Sequence, residues 1–346
     1  MTLTDRIRSF ELLGDRLRRY HESSTEPDML PLVEAAGQAA AENQWFTHEH
    51  IRHALNSLGT ALQPERLNKW ISGYSDRFAL NQPQKTVGVV MAGNIPAVGF
   101  HDLLCVLVAG HKLVARLSSA DARLLPAMAD VLREVMPDWQ NRIIFTTGRL
   151  EGFDTIIASG SDNTSRYFEY YFGKYPNIIR KNRNSIAILH GRENEITLQN
   201  LADDIMLYFG MGCRSVSKIF VPEGYDFSSL VRAMGKYDQF TFHHKYQNNY
   251  DYSKTIFLVS QEPYIDAGCL LIKEDPAFAS RIAVLHYEFY HSTDGVIDVV
   301  RENRDRIQCV VSELPLPIRS VQPGEAQSPA LWDYADDVDT LDFLLS

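Results

Sequence analysis

The spacing of apolar residues changes near residue 85. Before it they recur at helical intervals. Ile51, Leu55 and Leu58 share one face, Thr47 is placed to cap that helix, and Phe46 and Ile51 are placed to staple it. From Lys85 onward, short apolar runs alternate with helical stretches. TVGVVM (86–91), KLVARL (112–117), RIIFTT (142–147), DTIIAS (154–159), SIAILH (185–190) and VSKIFV (216–221) predict strands. GFHDLLCVLVAG (99–110) predicts a helix closed by Gly110. The stretch 125–135 predicts another, for which Ser118, Ser119 and Asp121 are candidate caps. NTSRYFEYYFG (163–173) and TLQNLADDIMLYF (197–209) predict two more. Such alternation gives βαβ units and a mostly parallel sheet, in which ligands bind beyond the carboxyl ends of the strands. Residues 223–312 repeat the alternation on a smaller scale and predict a second domain. The chain from 315 onward is proline-rich and then acidic, yet it holds Leu331, Trp332, Tyr334, Leu341, Phe343 and Leu344. That predicts a return segment lying on the body of the protein.

The chain has 346 residues, 45% apolar and 23% charged, with a formal net charge of −10. This is ample length for a packed core, and an acidic surface excludes general nucleic-acid or anionic-lipid binding. No stretch approaches the roughly 20 apolar residues of a membrane span, and the charged opening MTLTDRIRSFELLGDRLRRY has no leader pattern. A cytoplasmic location is therefore expected. The four cysteines, Cys105, Cys213, Cys269 and Cys309, lie far apart with no CxxC pair, so reduced thiols are expected and neither a disulfide frame nor a metal site. HEHIRH (48–53) is not a metal-binding HExxH, and its histidines do not share a face; a solvated helix is expected there. His243 and His244 read as structural or rim residues.

Two segments carry chemistry. In GMGCRSVSKIFVP (210–222), Cys213 lies on a hinge between a helix and a strand. A thiol that attacks carbonyls needs access, a lowered pKa and an oxyanion hole. Gly210 and Gly212 allow close backbone approach, and Arg214 is near enough in sequence to favour the thiolate. The alternative is a small buried hydrophobe, as Cys105, Cys269 and Cys309 read from their apolar surroundings. In GNIPAVGFHD (93–102), Asn94 sits on a strand-to-helix turn where an amide can reach an oxyanion or simply cap the helix. His101, close by, is either a proton donor or packing under the turn.

The order GNIP, VARLSSAD, ASGSDNTSRYFE and GCRSVSKIFVP resembles the aldehyde dehydrogenase superfamily, and within it the acyl-CoA reductases, including the fatty-acid reductase of bacterial bioluminescence. The ending SPALWDYADDVDTLDFL is similar to that group as well. The resemblance covers residue 85 to the end. It implies an α/β fold with a doubly wound nicotinamide-cofactor domain at 85–204 and a smaller α/β catalytic domain at 205–314. The helical residues 1–84 would pack on the former, and 315–346 would form the return segment. It implies Cys213 as nucleophile, with Ser217 and Lys218 following it as the family's serine and basic residue do, and Asn94 as oxyanion donor with the Cys213 N–H. Gly93, Arg116, Ser118, Ser119, Gly148, Gly160 and Ser161 would contact the cofactor.

Three departures refine this. Arg180 falls near the position of the glutamate that activates water in hydrolytic members, which favours transfer of acyl groups to or from a thiol. Ser119 replaces the acid often found on the adenosine ribose, and with Arg116 would tolerate a 2′-phosphate. The cofactor implied is thus NADPH, with NADH the alternative. Glu274 and Asp275 lie near the position of the residue holding the nicotinamide ribose, in a motif that is not intact. The implied reaction is NADPH-dependent reduction of an acyl-CoA or acyl thioester, long-chain in the first instance, to the aldehyde. An acyl-transferring partner protein and homo-oligomeric assembly are compatible with it. The alternatives are an NAD(P)-dependent aldehyde dehydrogenase that forms the acid, and a cysteine acyl carrier or acyltransferase without redox turnover.

Overall fold

Thr2 opens the first helix with a reciprocal cap: its hydroxyl accepts the Asp5 N–H, and the Asp5 carboxylate accepts the Thr2 N–H. In the computed structural model, which describes residues 1–80 and 83–346, helices α1 (Leu3–Arg18), α2 (Leu30–Glu42), α3 (His48–Ala61), α4 (Pro64–Ser72) and α5 (Ser75–Ala79) precede the first strand. Thr47 caps α3 by accepting the His50 N–H, and Phe46 and Ile51 are both buried, as a staple requires. His50 is buried too, so HEHIRH is not solvated all round.

The first sheet contains β1 (Thr86–Val90), β2 (Lys112–Arg116), β3 (Ile143–Thr146), β4 (Thr155–Ser159) and β5 (Asn177–Arg180). The order among the described residues is β3-β2-β1-β4-β5, with every pairing parallel. Helices α6 (Phe100–Ala109), α7 (Leu124–Val135) and α8 (Asp162–Phe172) join the strands. α6 is apolar nearly all round and is correspondingly buried. Gly110 ends it at φ 95°, which lets the His111 N–H close back on the Val106 carbonyl. One apolar cluster runs from Phe10, Leu13 and Trp70 through Val87, Val89 and Leu104 to Leu341 and Leu344, with Phe10 edge-on to Phe100 and Trp139 at 6.4 and 6.0 Å. Arg123, which precedes α7, makes no capping bond; Ser118 holds the Ala120 N–H, and Asp121 holds the Ala97 N–H and is also drawn on by the Leu124 N–H at the start of the helix. The strand β5 has no counterpart in the sequence reading, because four residues following Tyr-Pro offer too little pattern to register.

The second sheet orders β11-β6-β7-β10-β9-β8. Its elements are β6 (Asn184–Ile188), α9 (Glu195–Met206), β7 (Val216–Pro222), α10 (Ser228–Met234), α11 (His244–Val259), β8 (Ile265–Asp266), β9 (Leu271–Glu274), β10 (Val284–Tyr290), α12 (Thr293–Glu302) and β11 (Ile307–Val311). All pairings are parallel except β8 with β9. Ile186, Ile188, Phe220, Val296, Val300 and Val310 share its core. The two units are Met1–Asn182 with Pro329–Ser346, and Arg183–Ser328. β6 and α9 thus belong to the second unit, whereas the sequence reading set the division at 204/205. The segment read as one return piece from 315 is shared between the units. The helix expected over 197–209 ends at Met206, because Tyr208, Phe209 and Gly210 all turn left-handed. Among the described residues no helix is long and apolar enough to cross a membrane.

Residues 329–346, with α13 (Thr340–Leu344), complete the first unit. The Trp70 indole N–H donates to the Tyr334 hydroxyl at 2.7 Å, and the Tyr74 hydroxyl donates to Asp339 at 2.6 Å. Two histidines grip the segment. His101 Nε2 lies 2.9 Å from the Leu331 carbonyl, and His111 Nε2 lies 2.8 Å from the Leu344 carbonyl. His111 Nδ1 accepts the Lys85 N–H at 3.2 Å, so its proton resides on Nε2 and the ring is neutral. Burial pushes both imidazoles below their ordinary pKa; for His111, the Lys85 and Arg6 charges push the same way. As pH falls below about 6.5, the unfolded chain takes up these protons before the folded one does. Stability that is complete above that value is then lost as pH drops through the two folded-state values. The expected result is a Tm that falls between about pH 7 and pH 5, amide exchange that accelerates first in residues 330–346, and a shallower fall in His111→Gln. A wild-type Tm flat over that range would overturn it.

Candidate active site

In the first unit the order of the strands reverses between β1 and β4, the usual crevice for a ligand in an open parallel sheet. Each sequence-predicted residue of this unit lies just beyond the carboxyl end of a strand, or at that end. Gly93 and Asn94 follow β1, Arg116 closes β2 with Ser118 and Ser119 after it, Gly148 follows β3, and Gly160 and Ser161 follow β4. Asn94, Arg116, Ser119, Gly148 and Ser161 are exposed there. Ser161 caps α8 by accepting the Thr164 N–H at 3.3 Å, which places a helix N-terminus at the crevice, where backbone N–H groups favour anionic groups. The turns after β1 and β2 touch. A Cβ on Gly93 would lie 2.5 Å from Ser118 Cβ and Oγ, so only glycine fits. Ala97, at φ 57°, is held in the same knot by the buried Asp121, which accepts its N–H at 2.7 Å. Burial pushes the Asp121 carboxyl up to about 6, against the pull of the Ala97 and Leu124 N–H groups.

Two sequence candidates are committed elsewhere in this unit. Arg180 is buried in a 2.6 Å ion pair with Asp102 and donates to Thr340 at 2.9 Å. His101 is engaged by the Leu331 carbonyl and lies 3.7 Å from the Cys105 sulfur.

In the second unit Cys213 occupies the turn between the 3₁₀ segment 207–210 and β7. It is exposed, whereas Cys105, Cys269 and Cys309 are buried. Burial raises the Cys105 thiol far above its ordinary pKa and the Cys269 thiol to about 12. The chain reaches Cys213 through three left-handed residues, Tyr208, Phe209 and Gly210, at φ 56°, 56° and 71°. For the two non-glycine residues this costs about 1–2 kcal/mol each. Phe209 is fixed there by Phe240, His243 and Tyr246, with ring centroids at 4.4, 4.6 and 5.4 Å.

Hydrogen bonds brace the turn itself. Ser215 Oγ accepts the Gly212 N–H, and Ser185 donates from β6 to the Cys213 carbonyl at 2.9 Å. Arg214 donates to the Ala326 carbonyl at 2.5 Å and reaches the Cys309 sulfur at 3.5 Å. Ser217 donates to the Phe278 carbonyl, and the buried Lys218 bonds the Pro276 carbonyl and Glu288. Asp275 is paired with Lys273 at 2.9 Å and accepts the Ala277 N–H, whereas Glu274 is exposed at the end of β9.

The sequence reading named Asp121 only as a helix cap, and it missed Ser185, Asp204 and Gln327. Asp204 left one trace: it falls between Leu201 and Ile205 on the apolar stripe of α9, where a carboxylate needs a reason.

No protein-family model and no curated protein sequence matches the chain. Solved structures do match it. An aldehyde dehydrogenase from Physcomitrella patens, solved with succinate, superposes with a TM-score of 0.64 at 11% identity, covering 100% of this chain and 84% of its own. An NAD-dependent aldehyde dehydrogenase from Sinorhizobium meliloti gives 0.64 at 13%, over 93% and 74%. One from Mycobacterium tuberculosis, complexed with NAD+, gives 0.60 at 12%, over 90% and 73%. The fold is that of the aldehyde dehydrogenases. Within this aldehyde dehydrogenase fold, the crevice at the carboxyl edge and the exposed thiol on a braced turn are the two chemically equipped places described above.

Proposed function

We propose that this protein reduces an acyl thioester, of the acyl-CoA type, to the aldehyde through a thioacyl group on Cys213. The observation that carries this reading is Cys213 itself: an accessible thiol on a turn whose backbone is fixed by Ser185, Ser215 and Arg214. The Cys213 thiolate forms the new C–S bond, its own N–H and the Asn94 amide hold the carbonyl oxygen as it becomes negative, and the CoA thiolate leaves with the bonding pair. The residues beyond β1, β2, β3 and β4 fit a dinucleotide. The α8 N-terminus with Ser161 and Gly160 suits the pyrophosphate, and Gly148 leaves room for close approach. Arg116, Ser118 and Ser119 stand at the β2 end, where an acid would repel a 2′-phosphate, which favours NADPH over NADH. When bound, the nicotinamide supplies the hydride. Collapse of the resulting thiohemiacetal releases aldehyde and returns the thiol to Cys213.

Reduction is preferred over hydrolysis because of Arg180. The resemblance puts a water-activating glutamate near this position, and here the side chain is an arginine locked to Asp102. The second reading, oxidation of an aldehyde to the acid with NAD(P), is favoured by dehydrogenases of the same fold, one complexed with NAD+ and one NAD-dependent. Intact mass of the protein incubated with a long-chain acyl-CoA, with and without NADPH, tests the choice. The expected result is an acyl adduct on Cys213 that disappears as aldehyde forms. Acid formed from aldehyde and NAD(P)+, with no adduct from acyl-CoA, would give the second reading. An adduct indifferent to NADPH would indicate an acyl carrier or acyltransferase.

A further inference from the structure

The segment 322–328 is tied into the second unit by side chains that reach the two residues following Cys213. Asp204, wholly buried on α9, accepts the Gly324 N–H at 2.6 Å on one carboxylate oxygen and the Ala326 N–H at 3.0 Å on the other. Ala326 returns its carbonyl to Arg214 at 2.5 Å. The Gln327 amide donates to both the Asp204 carbonyl and Ser215 Oγ, each at 3.2 Å. Ser215 Oγ in turn accepts the Gly212 N–H. The bond to Ala326 therefore continues to Arg214 and the bond to Gln327 continues to Ser215, the two residues that follow Cys213, while the bond to Gly324 holds the segment itself.

We propose that Asp204 is a positioning residue for Cys213, fixing the 210–215 turn through the 324–327 segment so that the turn's N–H groups stabilise the thiolate. The proposal takes from the function above only that Cys213 is the reacting thiol. A carboxylate suits the task because both of its oxygens accept at once. An amide offers one acceptor, and protonation converts one oxygen into a donor. Losing the Ala326 N–H contact frees Ala326, and with it the anchor of Arg214. In this proposal the turn around Cys213 then loses the fixed arrangement in which its N–H groups would face the thiolate.

Burial pushes the Asp204 carboxyl up to about 7, and the Asp203 charge adds to this; the Gly324 and Ala326 N–H groups and Arg214 pull it down. Asp203 is itself held by Tyr237 and Lys236. Among these groups Asp204 is the one that combines full burial with two backbone contacts to the 324–326 segment.

The test is the rate of alkylation of Cys213 by iodoacetamide in the full chain, followed across pH by mass spectrometry. In Asp204→Asn the midpoint of the profile is expected to move to higher pH, with a several-fold slower rate at neutral pH and labelling still confined to Cys213. Gln327→Ala cuts only the Ser215 leg and is expected to shift the profile in the same direction by less; it carries the test if Asp204→Asn does not fold. A profile unchanged in both variants would overturn the proposal, as would a loss of rate equal at all pH values. Alkylation needs neither thioester nor nicotinamide, so an absent acyl adduct would defeat the proposed reaction while leaving this result intact.

Discussion

Cys213→Ala is expected to abolish the acyl adduct and to reduce thioester turnover to background, a loss on the order of a millionfold for removal of a covalent nucleophile. The other three cysteines cannot substitute. They are buried, and desolvation of Cys105 and Cys269 holds them as thiols at neutral pH. The variant should fold as the parent does, because an exposed side chain on a turn contributes little to stability. Mass spectrometry after incubation with acyl-CoA checks the result. An adduct of unchanged stoichiometry on the variant would place the nucleophile elsewhere and end the assignment.

Asn94→Ala should slow the reaction by about 100- to 1000-fold, or 2.7–4 kcal/mol of barrier, the usual consequence of removing one oxyanion donor. The loss should appear in kcat, with KM little changed, because in the proposed reaction the amide would bond an oxygen that becomes negative only as the thiol adds. Asn94 is exposed on its turn, and the turn's geometry is held by Asp121, Ala97 and Gly93. The substitution should therefore leave the Tm almost unmoved, separating chemistry from folding. Acyl-enzyme formation measured in a single turnover checks the result directly. Turnover equal to the parent's would remove Asn94 from the oxyanion hole.

Much of this architecture was legible in the chain, because β-branched runs and helical spacing report burial directly. β1 to β4 and β7 lie where the pattern placed them, and the candidate residues after β1, β2, β3 and β4 fall on one edge of one sheet because parallel pairing leaves no other arrangement. Sheet membership was not legible. SIAILH reads like the strands before it, and only its pairing with β7 and β11 assigns it to the second sheet. The end of α9 was also hidden. Tyr208 and Phe209 continue the apolar stripe, and it is tertiary packing on Phe240, His243 and Tyr246 that holds Phe209 in the left-handed turn. Arg180 was visible as a departure from the family pattern, but its partner Asp102 lies far away in sequence. The supports of the cysteine turn were least visible, since Asp204 bonds backbone N–H groups that carry no residue identity and Gln327 meets Ser215 from 112 residues away.

The division of the chain also sets an order of synthesis. Residues 183–328 contain the whole second unit, so a growing chain holds everything that unit needs before Pro329 is added. The first unit begins earlier and finishes later, since Leu331, Tyr334, Leu341 and Leu344 belong to its core. A nascent chain that stops after Ser328 carries one unit able to close and another with an apolar face still open to water. Such a face is the kind of surface that chaperones bind and that drives aggregation. A stop after Ser328 would therefore harm the part made first.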